Sequence, residues 1–413
     1  MLQSFLDIPA DHPFSIQNLP YGIFSAAGRS ARVGVAIGDY VLDLKGLEER
    51  ALLPPLGVFG ETTLNPLMEK GVAAWKQLRG SLQELLEERN PRLRDDRSLC
   101  DQVLIPIQQA ILHFPVQVGD YTDFYSSKQH ASNVGAMFRG KENALLPNWL
   151  HLPVAYHGRS SSLILSGTTI RRPYGQIKRP NESQPRFEAS CEMDFELEVG
   201  ALIGTGNRLG EPIPVAQAHE HLFGLVLVND WSVRDVQRWE YMPLGPFLAK
   251  NVGTSISPWV VTMEALEPFR IKGATQEPEP LPYLRHDQAR SYDINLEVSL
   301  QTVSMQSPVV ICRTNSKNLY WDINQQIAHH TVNGCNLRAG DLLASGTISG
   351  DERESFGSLL ELSWGGKNPI ELPNGEKRSF LEDCDTVIMT GYAQGDGFRV
   401  GFGEVRGTIV AAR

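Results

Sequence analysis

Residues 193–200, MDFELEVG, alternate apolar and acidic side chains without a break. That period of two predicts a strand, because successive strand side chains point to opposite faces. Met193, Phe195, Leu197 and Val199 form an apolar face that belongs in a core, while Asp194, Glu196 and Glu198 share the other face. Isolated acids on an edge strand ordinarily meet water. A converging set is different: two ionised carboxylates about 4 Å apart repel by roughly 4 kcal/mol at an effective dielectric of about 20, so they want a proton or a cation.

Outward from this stretch the chain is rich in short β-type runs, among them SLILSGTTI, LFGLVLVND, YDINLEVSL, DTVIMTGYA and GTIV, punctuated by Gly and Pro. Upstream the pattern changes. Residues 31–44, ARVGVAIGDYVLDL, read as two strands about a Gly-Asp turn, and residues 62–90 show helical spacing, as in EKGVAAWKQLRGSLQELLEE. The charged RNPRLRDDR and the proline-bearing LIPIQQAILHFPVQVGD follow, which places a boundary near residues 105–118. At 413 residues the chain is long for one core, so the expectation is a small N-terminal domain over 1–115 and a larger, mainly β domain over 116–413. No internal repeat or low-complexity tract interrupts it.

Composition narrows the function. With 41% hydrophobic and 21% charged residues the chain reads as an ordinary soluble globular protein. A formal charge of -10 disfavours nucleic acid and anionic membranes as partners, while leaving room for a local basic pocket that binds a small acid. No apolar run reaches membrane-spanning length, and the opening MLQSFLDIPADHPF has no export pattern. Five scattered cysteines without paired spacing suit a reduced, cytoplasmic compartment, in which the Asn181-Glu182-Ser183 sequon is a chance match.

Several familiar motifs fail on spacing. GTGNRLG at 204–210 precedes EPIP, which cannot open a helix; the histidines of HEH at 219–221 lack one-turn separation; His329 and His330 diverge on a helix. Four other stretches carry chemistry. Asp230 ends an apolar run just before the helical WSVRDVQRWEY, where it can cap the helix, ligate a cation, or do both. Four, seven and eleven positions on, Arg234, Gln237 and Tyr241 fall on one helical stripe that offers a cation, an amide and a phenol to an oxyanionic substrate. Lys250 and Thr254 follow in a Gly- and Pro-rich segment. Asp123, Tyr125, His130 and Arg139 cluster on loop and short helix, and Glu361 is the single acid in an apolar run read as a strand. Buried, that Glu would orient an imidazole as a water-activating base requires.

These segments resemble the fumarylacetoacetase family. The likeness runs through GDYTDFYSSKQHASNVGAMFRGKENALLPNWLHLPVAYHGR, MDFELEVG, VNDWSVRDVQRWEYMPLGPFLAKNVGTSISPW and LRAGDLLASGTISGDERESFGSLLELSW, and includes QNLPYGIFS near the N-terminus. It implies a small SH3-like N-terminal β-barrel, a larger C-terminal mixed β-roll and a homodimer. It also implies a divalent cation, Ca²⁺ or Mg²⁺, held by Asp123, Glu196, Glu198 and Asp230, and less directly a structural Mg²⁺ near Lys250 and Thr254. Asp194 matches no family ligand and stays unassigned.

The implied reaction hydrolyses a carbon-carbon bond of the diketo dicarboxylic acid 4-fumarylacetoacetate to fumarate and acetoacetate, the final step of tyrosine and phenylalanine catabolism. By the resemblance His130, oriented by Glu361, deprotonates water; Arg234, Gln237 and Lys250 supply donors to the oxyanion; Tyr125, Arg139, Tyr156, Tyr241 and Thr347 hold the substrate. Relatives that share the metal site supply the competing readings, an acylpyruvate hydrolase or an oxaloacetate decarboxylase. A calcium-binding protein without activity would leave the His130 and Glu361 pair without purpose.

Overall fold

The computed structural model describes residues 2–287 and 290–413. Three sheets dominate, and the helices are mostly short. The Gly38-Asp39 turn, with Gly38 at a φ of 52°, joins strands Arg29–Ile37 and Tyr40–Asp43. They are the centre of an antiparallel five-stranded sheet completed by Tyr21–Ala26, Leu104–Pro106 and Ile111–His113. The helical spacing upstream of residue 90 becomes the helix Gly71–Leu86, whose Trp75, Leu78, Leu82, Leu85 and Leu86 are buried.

The second sheet positions the site. Its order runs Ala155–Gly158, Tyr121–Phe124, Leu342–Ala344, Leu197–Ile203, Leu222–Asp230, Thr254–Ile256 and Leu163–Leu165, with Val261–Thr262 also paired to Leu222–Asp230. Both faces are covered. Leu197, Val199, Leu225 and Leu227 enter a core shared with the third sheet, whose strands include Asn295–Gln301, Thr386–Gly395 and Phe398–Val410. Tyr121, Leu202, Val226, Val228, Leu342 and Ala344 enter the core of the N-terminal sheet and helix. Alternation along each strand puts Asp123, Glu198 and Asp230 on that second face, beyond the point where the N-terminal elements cover it. Gly200 allows the close approach, since a Cβ there would lie 2.7 Å from Val228 Cγ2 and 2.8 Å from Leu342 Cδ1.

Three local expectations are corrected. The acidic strand is interrupted: Met193–Asp194 pairs with Ser232–Val233, and Leu197–Ile203 belongs to the large sheet. The break follows from Asp194, whose side chain accepts from the Phe195 amide and removes that donor from the ladder. Asp230 caps no helix, because Ser232–Val233 intervenes and the helix begins at Arg234. Glu361 sits in a four-residue helix, Leu359–Leu362, capped by Ser358, and not in a strand. Among the described residues no helix is long and apolar enough to cross a membrane.

Candidate active site

Four carboxylates meet at the edge of the large sheet. Asp123, Glu196, Glu198 and Asp230 each offer an oxygen such that all four lie within 4.8 Å of one another, and all four side chains are buried. They arrive from neighbouring strands: Asp123 is level with Ala344, Ala344 with Gly200, and Asp230 with Thr254. Burial and mutual repulsion push the Asp123 and Glu198 carboxyls well above the ordinary carboxylate range. Asp123 Oδ1 and Glu198 Oε1 are buried with no hydrogen-bond partner among the described residues. Hard oxygen donors that are buried, crowded and unpaired fit a divalent cation of the calcium or magnesium type.

Both Glu196 oxygens and Asp230 Oδ2 face fixed cations. Lys250 Nζ lies 2.6 Å from both Glu196 Oε2 and Asp230 Oδ2, and although burial opposes it, Asp230 and Glu196 raise the ammonium above the ordinary lysine range. Thr254 Oγ1 donates to Asp230 Oδ1 at 2.7 Å, and Tyr156 OH donates to Asp230 Oδ2 at 3.2 Å. Arg234 donates from Nε to Asp194 at 2.7 Å and from Nη1 to Gln237 Oε1 at 3.0 Å; its Nη2 lies 2.6 Å from Glu196 Oε1 without the alignment of a hydrogen bond. Against burial, Lys250 and Arg234 hold Glu196 below the ordinary carboxylate range. Five buried carboxylates, Asp194 included, face these two buried cations, so an added divalent ion moves the site toward balance.

The same cavity is lined by an imidazole that is paired with a further buried carboxylate. His130, on the helix Lys128–Arg139, presents Nδ1 2.7 Å from Glu361 Oε2. Glu361 also accepts from Asn133 at 2.9 Å, Ser349 at 2.9 Å and Ser358 at 2.8 Å. Although burial opposes it, His130 and these donors keep its pKa below the ordinary glutamate value. Nε2 is the imidazole nitrogen that Glu361 does not hold, and His130 lines a cavity of about 470 Å³.

That cavity gathers most of the residues singled out from sequence. His130, Tyr125 and Thr347 line it, as do Arg234, Gln237 and Lys250. So do Asp123, Glu196, Arg139, Tyr156 and Tyr241. Asp230, Thr254 and Glu361 stand behind the wall and act on it through the contacts above, and Glu198 does so by accepting from the amide of Gly346, a lining residue, at 3.1 Å. The Thr347 hydroxyl is buried without a partner among the described residues. Arg139 is held at the rim by the Asn143 and Ala144 carbonyls, at 3.1 and 2.8 Å.

Comparison with known proteins gives the same answer over the whole length. Residues 17–115 match the sequence model of the fumarylacetoacetase N-terminal region, and residues 120–410 that of the fumarylacetoacetate hydrolase C-terminal region. The chain belongs to the fumarylacetoacetase family. It is 57% identical to the fumarylacetoacetase of Mus musculus over 415 residues and 56% identical to that of Homo sapiens, with 99% of each chain covered. The Caenorhabditis elegans fumarylacetoacetase is 50% identical over 418 residues, covering both chains entirely. Among solved structures, a fumarylacetoacetate hydrolase from Exiguobacterium antarcticum superposes with a TM-score of 0.52 at 17% identity, over 96% of this chain and 100% of that one. At that identity it speaks for the shared fold, a mainly β architecture with a smaller N-terminal part.

Within this fumarylacetoacetase-family site, sequence reasoning missed the groups that hold Glu361. Asn133 lies one helical turn from His130, a spacing readable from the helix. Ser358 and Glu361 have the Ser-x-x-Glu spacing of a helix N-terminus, and Ser358 Oγ both caps the Glu361 amide and donates to its carboxylate. Ser349 had no local signal.

Proposed function

We propose that this chain hydrolyses 4-fumarylacetoacetate to fumarate and acetoacetate, closing tyrosine and phenylalanine catabolism. The observation that carries the reading is that the buried His130–Glu361 pair and the buried carboxylate cluster share one cavity, lined by His130, Asp123 and Glu196. Full-length identity to fumarylacetoacetases supports it.

Asp123, Glu196, Glu198 and Asp230 would hold Ca²⁺ or Mg²⁺, and a bound cation there supplies a Lewis acid that polarises the diketone oxygens and favours the enolate. A structural Mg²⁺ beside Lys250 and Thr254, through backbone oxygens, belongs to the same proposal. The chain's own residues do the rest. His130 Nε2 takes a proton from water while Glu361 holds Nδ1–H and steadies the imidazolium. Hydroxide adds to the fumaryl ketone carbon, and the tetrahedral oxyanion meets donors from Arg234, Gln237 and Lys250. Collapse breaks the bond to the adjacent methylene, whose electron pair leaves as the acetoacetate enolate and takes up a proton. Tyr125, Arg139, Tyr156, Tyr241 and Thr347 would orient the two carboxylate arms. The wider proposal is a cytoplasmic homodimer whose protomer divides into an SH3-like domain over 1–115 and a catalytic β-roll over 116–413.

The test is a product assay on metal-stripped protein given fumarylacetoacetate, with and without Ca²⁺ or Mg²⁺. Metal-dependent release of fumarate and acetoacetate in equal amounts is expected. A folded, metal-loaded protein that releases neither refutes the reading.

A further inference from the structure

We propose that Asp194 is a positioning residue for the hydrolysis, one carboxylate that fixes both the Arg234 guanidinium and the segment carrying Glu361; this rests on the roles given above to those two residues. Asp194 is fully buried and does not line the cavity. Its Oδ2 accepts from Arg234 Nε at 2.7 Å and from the Leu360 amide at 3.1 Å. Its Oδ1 accepts from the Leu359 and Phe195 amides, each at 2.8 Å. Four donors from three separate segments therefore occupy the acceptor positions that a carboxylate offers.

The consequences reach two parts of the site, the Arg234 guanidinium on the cavity lining and the turn behind it that carries Glu361. A guanidinium is a rigid planar fork, so pinning Nε sets the direction of Nη1 toward Gln237 and of Nη2 toward Glu196. The Leu359 and Leu360 amides open the single turn from which Glu361 reaches His130 Nδ1 at 2.7 Å. A cap alone would need only the amides, and an ion pair alone only the arginine. Asp194 does both, so it sets the distance between the oxyanion donors and the base. Asparagine has the same shape but one acceptor oxygen, so its NH₂ must oppose either Arg234 Nε–H and the Leu360 amide or the Leu359 and Phe195 amides, and in both orientations the hold on the turn carrying Glu361 is weakened.

The experiment measures steady-state turnover at saturating Ca²⁺ for Asp194→Asn, Glu361→Gln and the double variant, with calorimetric Ca²⁺ titration of each. For Asp194→Asn kcat is expected to fall by at least about 30-fold, within the range that a small misplacement produces, with KM and the Ca²⁺ affinity within about threefold of the parent. The double variant should lose less than the product of the two single losses, because both changes act on one element. A folded Asp194→Asn with near-parental kcat, a loss confined to KM or to metal affinity, or strictly multiplicative losses overturns the proposal. Parental turnover in Glu361→Gln would instead refute the reading of the base, a separable result. Should Asp194→Asn not fold, hydrogen exchange of the Arg234 Nε–H in the unmodified, ¹⁵N-labelled protein decides: strong protection supports the link, and exchange at the rate of free arginine overturns it.

Discussion

His130 Nδ1 stands 2.7 Å from Glu361 Oε2, and both side chains are buried. The pairing fixes which ring nitrogen is left for a reacting water. Because Glu361 is anchored in turn by Asn133, Ser349 and Ser358, the imidazole has one orientation to adopt. Rigidity of this kind is what a general base requires, since the proton must be reached in a fixed pose.

Glu361→Gln keeps the shape and the hydroxyl donors' partner oxygen but can no longer stabilise an imidazolium. Turnover is expected to fall by roughly 10² to 10⁴-fold, the span of general base catalysis, with the fold and metal titration unchanged. Unchanged kcat would remove Glu361 from the mechanism.

The same carboxylate makes a pH prediction. Its pKa is depressed in the fold, so its stabilising contribution is present above the unfolded value near 4.5 and disappears as pH falls through the lower folded value. The melting-temperature gap between the parent and Glu361→Gln should therefore be full at neutral pH and shrink only below the ordinary glutamate range. A gap that already vanishes between pH 7 and pH 5 would contradict the assigned direction.

Glu198→Gln separates metal binding from folding. Glu198 Oε2 accepts from the Gly346 amide at 3.1 Å, a bond that glutamine preserves, while Oε1 has no partner among the described residues. Loss of a direct ligand should weaken Ca²⁺ binding by at least the about 10 to 100-fold that outer partners alone are worth. In the metal-free protein the substitution removes one member of a repelling set, so the melting temperature is expected to hold or rise. Parental Ca²⁺ affinity in a calorimetric titration would strike Glu198 from the ligand set.

Much of this site was legible in the sequence, and the gaps have physical causes. Period-two alternation placed Glu198 opposite an apolar core face, and helical spacing placed Gln237 beside Arg234, where the two side chains are hydrogen-bonded. Alternation also put Asp194 with Glu196 and Glu198, yet its carboxylate turns to Arg234 and the Leu359 and Leu360 amides, because the strand breaks at Phe195. Glu361 read as strand because LLEL is apolar; a four-residue helix is too short to show its period. Nothing local could bring Asp123 level with Ala344 across a parallel pairing, since that register is set by the assembled sheet. The resemblance supplied the convergence that periodicity could not.

Gly135→Ala tests the rim. A Cβ at Gly135 would lie 1.8 Å from the Ala144 carbonyl oxygen, a backbone atom that cannot swing aside as a side-chain tip can. The Ala144 carbonyl accepts from Arg139 Nη2, and Ala144, Leu145 and Leu146 line the cavity. Even one methyl must therefore displace the segment that aims Arg139. If Arg139 holds a substrate carboxylate, its displacement weakens binding in the ground and transition states alike, which raises KM with kcat nearly intact. A rise of about tenfold corresponds to roughly 1.4 kcal/mol, just below the roughly 1.5 to 3 kcal/mol of a whole charged hydrogen bond, as a partial loss should be. Because Gly135 is itself buried, the variant should also lose roughly 1 to 3 kcal/mol of stability, the scale of overpacking, read as a lower melting temperature. A variant with parental KM, or one whose loss falls wholly on kcat, would show that Arg139 does not carry substrate affinity.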